Sequence, residues 1–410
     1  MALKLFGAAM PFGQHVLKRV VVDNKGNLYM LRRQFFRGPV ATAAIGVTGS
    51  VFLGIGNTLA QTCTPPVASI PPPPTTPPPL AGVGGALNAV DAIKALRIPS
   101  GPYTGAYEIS PNGLSNWYFT NLGLISIVQY LDAPSLDTYI RVYLDLYLSK
   151  LQPDLSIKDI DFPFGRANPS AFTLVMSDSD DSYAATTLTL AARYLRASQN
   201  WAWWDKNKSR LKDIAYRNIA VAVKPNGLTS VFQSPRSQTN NAGYLMDNCE
   251  VYRGLRDFCA LLTERGDAAD AAYYSQFANG IAKSLAALFS PASNAFRVAD
   301  LSVQTETTFY PGTSCQVFPQ VFGVSELAAY FTPGWNFLST NSPGWETGKL
   351  DPYPFAVVGL AAAKRGQTAL AKAQMAFVEK TFVDNRPLVT INELGFYQRT
   401  KSVLAGGADV

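Results

Sequence analysis

Beyond Leu80 the apolar residues recur at intervals of three and four, the spacing that gathers them on one face of an α-helix, and the helices so predicted come in pairs. Ser115 to Leu131 and Pro134 to Leu151 flank a turn at Asp132; Asp180 to Ala197 and Trp201 to Val223 flank Ser198-Gln199-Asn200. Tyr244 to Glu264 and Ala268 to Phe289 flank Arg265-Gly266-Asp267, and Phe355 to Lys364 and Thr368 to Phe382 flank Arg365-Gly366-Gln367. A further pair lies between Cys315 and Leu338, and a short helix near Ala86 to Leu96 precedes them all. Turns within a pair are short, whereas the chain between pairs (152–179, 224–243, 290–314) is long and rich in Pro, Gly, Asn and Ser. Each long loop leads into the first helix of the next pair, so all of them fall on one face, the face where function usually resides. Leu228 to Phe232 and Ala295 to Val298 suit short hairpins there.

The two helices of a pair differ in kind. The first is small and apolar throughout, as in Ala184 to Ala192, which suits a helix walled in on all sides; the second carries charge, as in Lys206 to Arg217, which suits an outer layer. Repeated helical hairpins can stack as an open solenoid or close into a ring, and the two-layer pattern favours the ring. The arrangement resembles the six-hairpin glycosidase superfamily over most of residues 85 to 405. That resemblance implies an all-α (α/α)6 toroid with short β-hairpins in the loops on one face.

Charge changes the picture only at the N-terminus. The formal net charge is +6, but residues 1 to 61 hold seven basic residues and one acid, which leaves 28 of each sign beyond them. The basic surplus therefore supplies no nucleic-acid surface to the folded part. Arg32-Arg33-Gln34-Phe35-Phe36-Arg37, followed by the uncharged stretch from Gly38 to Ala60, resembles a twin-arginine export signal, with a Sec signal or an uncleaved anchor through residues 39–60 as alternatives. All three place the domain outside the cytoplasm, periplasmic or secreted, and residues 1–29 ahead of the signal suggest a true start at Met30. Nine prolines between Pro65 and Pro79 form a polyproline spacer. The expected organisation is residues 1–61 as extension and signal, 62–80 as linker and 81–410 as a monomeric helical domain.

Composition also excludes chemistry. The only histidine, His15, lies upstream of the folded part, which removes histidine-dependent nucleophile sites and ordinary zinc sites. No nucleotide loop or EF-hand is present, and no cofactor is implied. Of the four cysteines, Cys249 and Cys259 stand roughly 15 Å apart on one helix, too far to pair. Either one of them pairs with Cys315 or all are buried free thiols.

In a ring the first turns of the inner helices line a central funnel, and here they carry acids and aromatics: Trp117-Tyr118, Asp178-Ser-Asp180-Asp181-Ser-Tyr183, Asp247-Asn-Cys-Glu250-Val-Tyr252 and Asp351-Pro-Tyr353. Glycoside hydrolysis commonly needs two carboxyl groups, one protonated and one ionised, and aromatic faces suit sugar rings. Asp178, Asp181, Asp247 and Glu250 are the catalytic candidates; Trp117, Tyr118, Tyr183 and Tyr252 are stacking candidates. Asp181 with Tyr183 matches the acid-Ser-Tyr entry to an inner helix that the resemblance implies. Glu346 and Trp345, on a long loop, are a further substrate-binding pair, with Trp335 beside them or with both indoles anchoring their own loop. Trp201, Trp203 and Trp204 pack an outer helix.

Each candidate has a structural competitor. Helix capping would employ one of Asp178, Asp180 and Asp181, and calcium could draw on the same cluster. Glu250 could pair with Arg253 or Arg256 one turn on. The leading expectation is a poly- or oligosaccharide-cleaving glycoside hydrolase using Asp181 and Asp247. A polysaccharide lyase with Tyr183 as base and a non-catalytic glycan-binding scaffold are the alternatives.

Overall fold

The computed structural model describes two strands, β1 (Val20–Val22) and β2 (Leu28–Met30), and residues 85–409 apart from 112 and 239. β1 and β2 form an antiparallel hairpin. The twin-arginine pair, the apolar stretch 38–60, the proline-rich linker, His15 and Cys63 lie outside the described residues.

From residue 85 the chain alternates between an inner and an outer layer of helices. α1 (Ala89–Lys94) is followed by the inner helix α2 (Trp117–Ile125), then by a short α3 (Ala133–Ser135) that runs through a π-helical stretch into α4 (Val142–Lys150). Two hairpins follow in the same alternation: α5 (Asp181–Ser198) with α6 (Trp201–Ile214), and α7 (Leu245–Glu264) with α8 (Ala268–Ala286). The next inner helix, α9 (Phe318–Val321), is only one turn after a 3-10 lead-in, and α10 (Ala328–Asn341) backs it. α11 (Ala356–Lys364) and α12 (Thr368–Asp384) form the last sequential pair, and α13 (Ile391–Leu404) ends the series.

The ring closes. α2 packs on α5, α5 on α7, α7 on α9, α9 on α11, α11 on α13, and α13 back on α2. This is the (α/α)6 toroid expected, with one feature the pairing pattern did not foresee. α13 has no following partner in sequence; its outer helix is α1, some 300 residues earlier, and Lys401 Nζ donates to Gly85 O at 2.9 Å.

Burial explains the two layers. Every residue of α2, and Asp181 through Leu195 of α5, is buried, and the same holds for Ala356 through Ala363 of α11. Inner helices can approach closely only where side chains are absent. At the closing seam a Cβ on Gly123 would stand 2.8 Å from Ile391 O, and one on Gly395 2.8 Å from Leu122 O. The two glycines face one another across the α2–α13 contact, where the backbones approach closely and the Ile391 side chain fills the space beside Gly123.

The long loops carry two small antiparallel hairpins, β3 (Lys158–Asp161) with β4 (Thr173–Met176) and β5 (Phe289–Ser290) with β6 (Ala295–Phe296). Residues 228–232 make only an isolated bridge between Thr229 and Val223. Cys249, Cys259 and Cys315 are buried free thiols. Among the described residues no helix is long and apolar enough to cross a membrane.

Candidate active site

The loop face brings the first turns of the inner helices together, and four elements supply the polar groups found there. α2 starts with Asn116, whose side chain caps Phe119 N at 2.8 Å and whose amide Nδ2 donates to Asp159 Oδ2 at 2.9 Å. Asp159 sits on β3, in the loop before α5. The hydroxyl of Tyr183 donates to it at 2.7 Å and the backbone of Trp117 at 3.3 Å. Burial, with Asp178 nearby, nevertheless pushes the Asp159 carboxyl well above the usual range. Sequence reasoning missed Asp159, because nothing in Lys158-Asp-Ile-Asp161 separates the buried Asp159 from the exposed Asp161: in a regular strand both would share one face.

The three acids at the start of α5 divide. No side chain caps this helix, so capping does not account for them. Asp180 pairs with Arg236 at 2.9 Å and accepts from Gln233 N at 3.0 Å, while burial pushes its pKa up to about 6. Asp178 is partly exposed and interacts with Tyr183. Asp181 is fully buried; its Oδ2 lies 2.7 Å from Thr229 Oγ1, which is 3.0 Å from Asn248 Oδ1 on α7. Asp181 thus faces its neighbour α7 through Thr229. Because the three carboxyls point to different partners, they do not form a common set of calcium ligands.

On α7, Asp247 and Glu250 are both buried. The arginines that could have claimed Glu250 are taken: Arg253 pairs with Asp257 at 2.8 Å and Arg256 with Glu326 at 2.7 Å. Glu250 accepts a hydrogen bond from the hydroxyl of Tyr118, which reaches from α2 past α5. On the way its ring lies over Tyr183, with centroids 6.0 Å apart and planes at 25°. Tyr118, Tyr183, Glu250, Asp159 and Asn116 therefore form one connected buried group, and Asp181 with Asn248 forms a second beside it.

Other candidates lie elsewhere. Trp117 has no exposed surface; its Nε1 donates to Lys158 O at 2.8 Å and its ring packs against Tyr143 and Tyr147, which leaves no face for a sugar. Tyr252 donates to Glu326 at 2.7 Å, on the turn before α10, with the Arg256 guanidinium over its ring. Trp345 and Trp335 are buried edge to face at 6.1 Å, as loop anchors are, and the turn that bears Trp345 and Glu346 rests on the outer helix α12. Tyr252, Trp335, Trp345 and Glu346 thus make contacts outside the Tyr118–Glu250 group, whereas Trp117 joins it only through its backbone. Trp203 and Trp204 are buried residues of α6 itself, with Trp203 Nε1 donating to Asp145 at 2.7 Å.

No family model matches this chain, and no curated protein does. Solved structures do. A rhamnosidase from Klebsiella oxytoca with rhamnose bound is 13% identical over 77% of this chain, with a TM-score of 0.50, and the chain spans 57% of that enzyme's length. A glutamate-to-alanine variant of a glycosidase is 13% identical over 78% of this chain and 96% of its own, with a TM-score of 0.54. The wild-type form of that glycosidase gives a TM-score of 0.50. At this identity the likeness is one of fold, and it is to the toroid.

Proposed function

We propose that this chain is a glycoside hydrolase acting on a poly- or oligosaccharide at the loop face of its ring, with Glu250, Asp247 and Asp181 as the source of the carboxyl pair. The observation that carries the reading is the hydrogen bond from Tyr118 to Glu250. Glu250 is an acid buried among helices, and a hydroxyl from across the ring holds and orients it. Such a group suits the base or nucleophile of hydrolysis. Asp247, one turn earlier on the same helical face, and Asp181, linked to α7 through Thr229, are the candidates for the proton donor.

The structural neighbours support the class. The glycosidase neighbour was also solved with a tyrosine-to-phenylalanine and a glutamate-to-alanine substitution, at positions almost as far apart in its chain as Tyr118 and Glu250 are here. The rhamnose bound to the Klebsiella enzyme makes deoxyhexosides a first substrate to try. The lyase alternative is disfavoured by Tyr183: burial and the adjacent Asp159 and Asp178 push its phenol well above its ordinary value, the wrong direction for a base.

The test is release of reducing sugar from a panel of oligosaccharides and aryl glycosides, rhamnosides included. Glu250→Gln and Asp247→Asn or Asp181→Asn should each lower turnover by roughly a thousandfold or more while the helical circular dichroism stays unchanged. Full activity in all three variants would overturn the assignment, and an unsaturated product absorbing in the ultraviolet would replace it with a lyase. The reading includes export, supported by the arginine pair and apolar stretch before the proline spacer. Fractionation of expressing cells tests that part: the enzyme recovered wholly with the cytoplasm would refute it.

A further inference from the structure

Asp159 enters the Tyr118–Glu250 group from a loop hairpin, whereas the other members belong to inner helices or cap one. It is 3% exposed, too deeply set to meet a substrate. Its place is fixed from both sides. Ser115 N donates to Ile160 O at 2.7 Å and Ile160 N to Ser115 O at 3.0 Å, an antiparallel bridge, while Trp117 Nε1 donates to Lys158 O at 2.8 Å. β3 is thereby clamped to the chain entering α2, with Asp159 between the two clamps. Three donors converge on its carboxyl: Asn116 Nδ2 at 2.9 Å and Trp117 N at 3.3 Å from α2, and the Tyr183 hydroxyl at 2.7 Å from α5. Asn116 Nδ2 also donates to the Tyr183 hydroxyl, at 2.6 Å. Tyr118 follows Trp117 directly, and its ring lies over that of Tyr183. The turn from which Tyr118 springs and the ring on which it rests are therefore held by the same carboxyl.

We propose that Asp159 is a positioning residue for the reaction: by locking the first turn of α2 to the Tyr183 hydroxyl, it aims the Tyr118 hydroxyl at Glu250. The start of α2 does not need an acid for its own sake, since Asn116 already caps it through Phe119 N. Burying a carboxyl beneath that cap is costly, and the cost is offset by the donors it gathers from two helices. The benefit is catalytic, because a reacting group displaced by about 1 Å can lose about a hundredfold in rate. Asp159 thus acts through Tyr118 and touches neither Glu250 nor a sugar. The inference rests on the hydrolase reading for its effect on turnover, whereas its geometric part, the aim of Tyr118, does not.

The experiment is a double-mutant cycle on sugar release by the full chain, with crystal structures of the same variants. Asp159→Ala should lower kcat about tenfold or more and change KM by less than about threefold, since the residue meets no substrate. In the Tyr118→Phe background the same substitution should change kcat by less than about threefold, because the group it acts through is gone. Tyr183→Phe, which removes only the hydroxyl, should show the same pattern, and it carries the test if Asp159→Ala does not fold. In crystals of either variant the Tyr118 hydroxyl should lie beyond about 3.5 Å from the Glu250 carboxyl. Independent losses in the cycle, or a Tyr118–Glu250 hydrogen bond kept in both variants, would overturn the proposal. A wild-type chain that releases no sugar from any glycoside would end the hydrolase reading instead, and the crystal structures would then decide this inference by themselves.

Discussion

Glu250 shows how much at the residue scale depends on neighbours already being satisfied. Its sequence offers two arginines within reach along α7, which pair with Asp257 and Glu326, and a partner for Glu250 comes from across the ring. Removing that partner tests the arrangement without unfolding it. Tyr118→Phe should cost about 1–2 kcal/mol of stability, the usual range for a buried hydrogen bond. It should lower turnover about ten- to a hundredfold, read as kcat in the sugar-release assay; an unchanged kcat would remove Tyr118 from the site. Asp180 yields a prediction in pH. Its pKa is raised from 3.8 to about 6 in the folded chain, so the folded state binds the extra proton between those values and stability falls as pH rises through that window. Asp180→Asn lacks this loss. Relative to wild type it should gain about 2 kcal/mol on going from pH 4 to pH 6, measured by denaturant unfolding at each pH; a difference moving the other way would contradict the assignment. The residue scale is also where the sequence was least legible. The acid-rich turns could be found by composition, and they do gather at one face. Which acid meets which partner depends on loops: Thr229, Arg236 and Asp159 all come from inter-pair segments whose path no periodicity encodes.

At the scale of elements, legibility was higher, because a helix walled in by others must be apolar all round and a helix facing water need not be. Four helix pairs and the short α1 follow from the spacing of apolar residues and the turns between them, and that contrast assigns the pairs to two layers. α13 did not, although it is as buried as α11, because the hairpin grammar looks for a partner next in sequence and its partner is α1. The short α9 was only partly legible for a related reason: a single turn is too little for a period. Glycines mark the same distinction between layers and make it measurable. Gly395 abuts the backbone of α2, whereas Gly280, on the outer helix α8, has nothing within 4 Å of where a Cβ would stand. Gly395→Ala should therefore destabilise by about 1–3 kcal/mol through overpacking at the seam. Gly280→Ala should stabilise by about 0.5–1 kcal/mol through helix propensity. Chemical denaturation of the two variants checks both signs, and a stabilised Gly395→Ala would mean the seam is not as close as described.

For the whole molecule, the toroid is held by a few long-range commitments in addition to its hairpins. Asp409, beyond α13, is one: it gathers Arg399 and Lys364, and those cations hold its carboxyl well below the ordinary range. Asp409→Asn would leave the buried Arg399 and the half-buried Lys364 short of a counter-charge and should cost about 3–5 kcal/mol, visible as a lowered melting temperature; a loss under about 1 kcal/mol would show the cluster to be dispensable. The pairing of α1 with α13 carries a different lesson. A circle of helices has no privileged first member, and residues 85 and 401 already touch. A permuted gene that joins the two ends by a short linker and opens between α7 and α8 at Gly266, where no atom crowds the backbone, should encode the same circle. Its expected unfolding is one cooperative step, and a permutant that melts piecemeal would reveal that the order of synthesis, and not just the closed geometry, is part of what the fold requires.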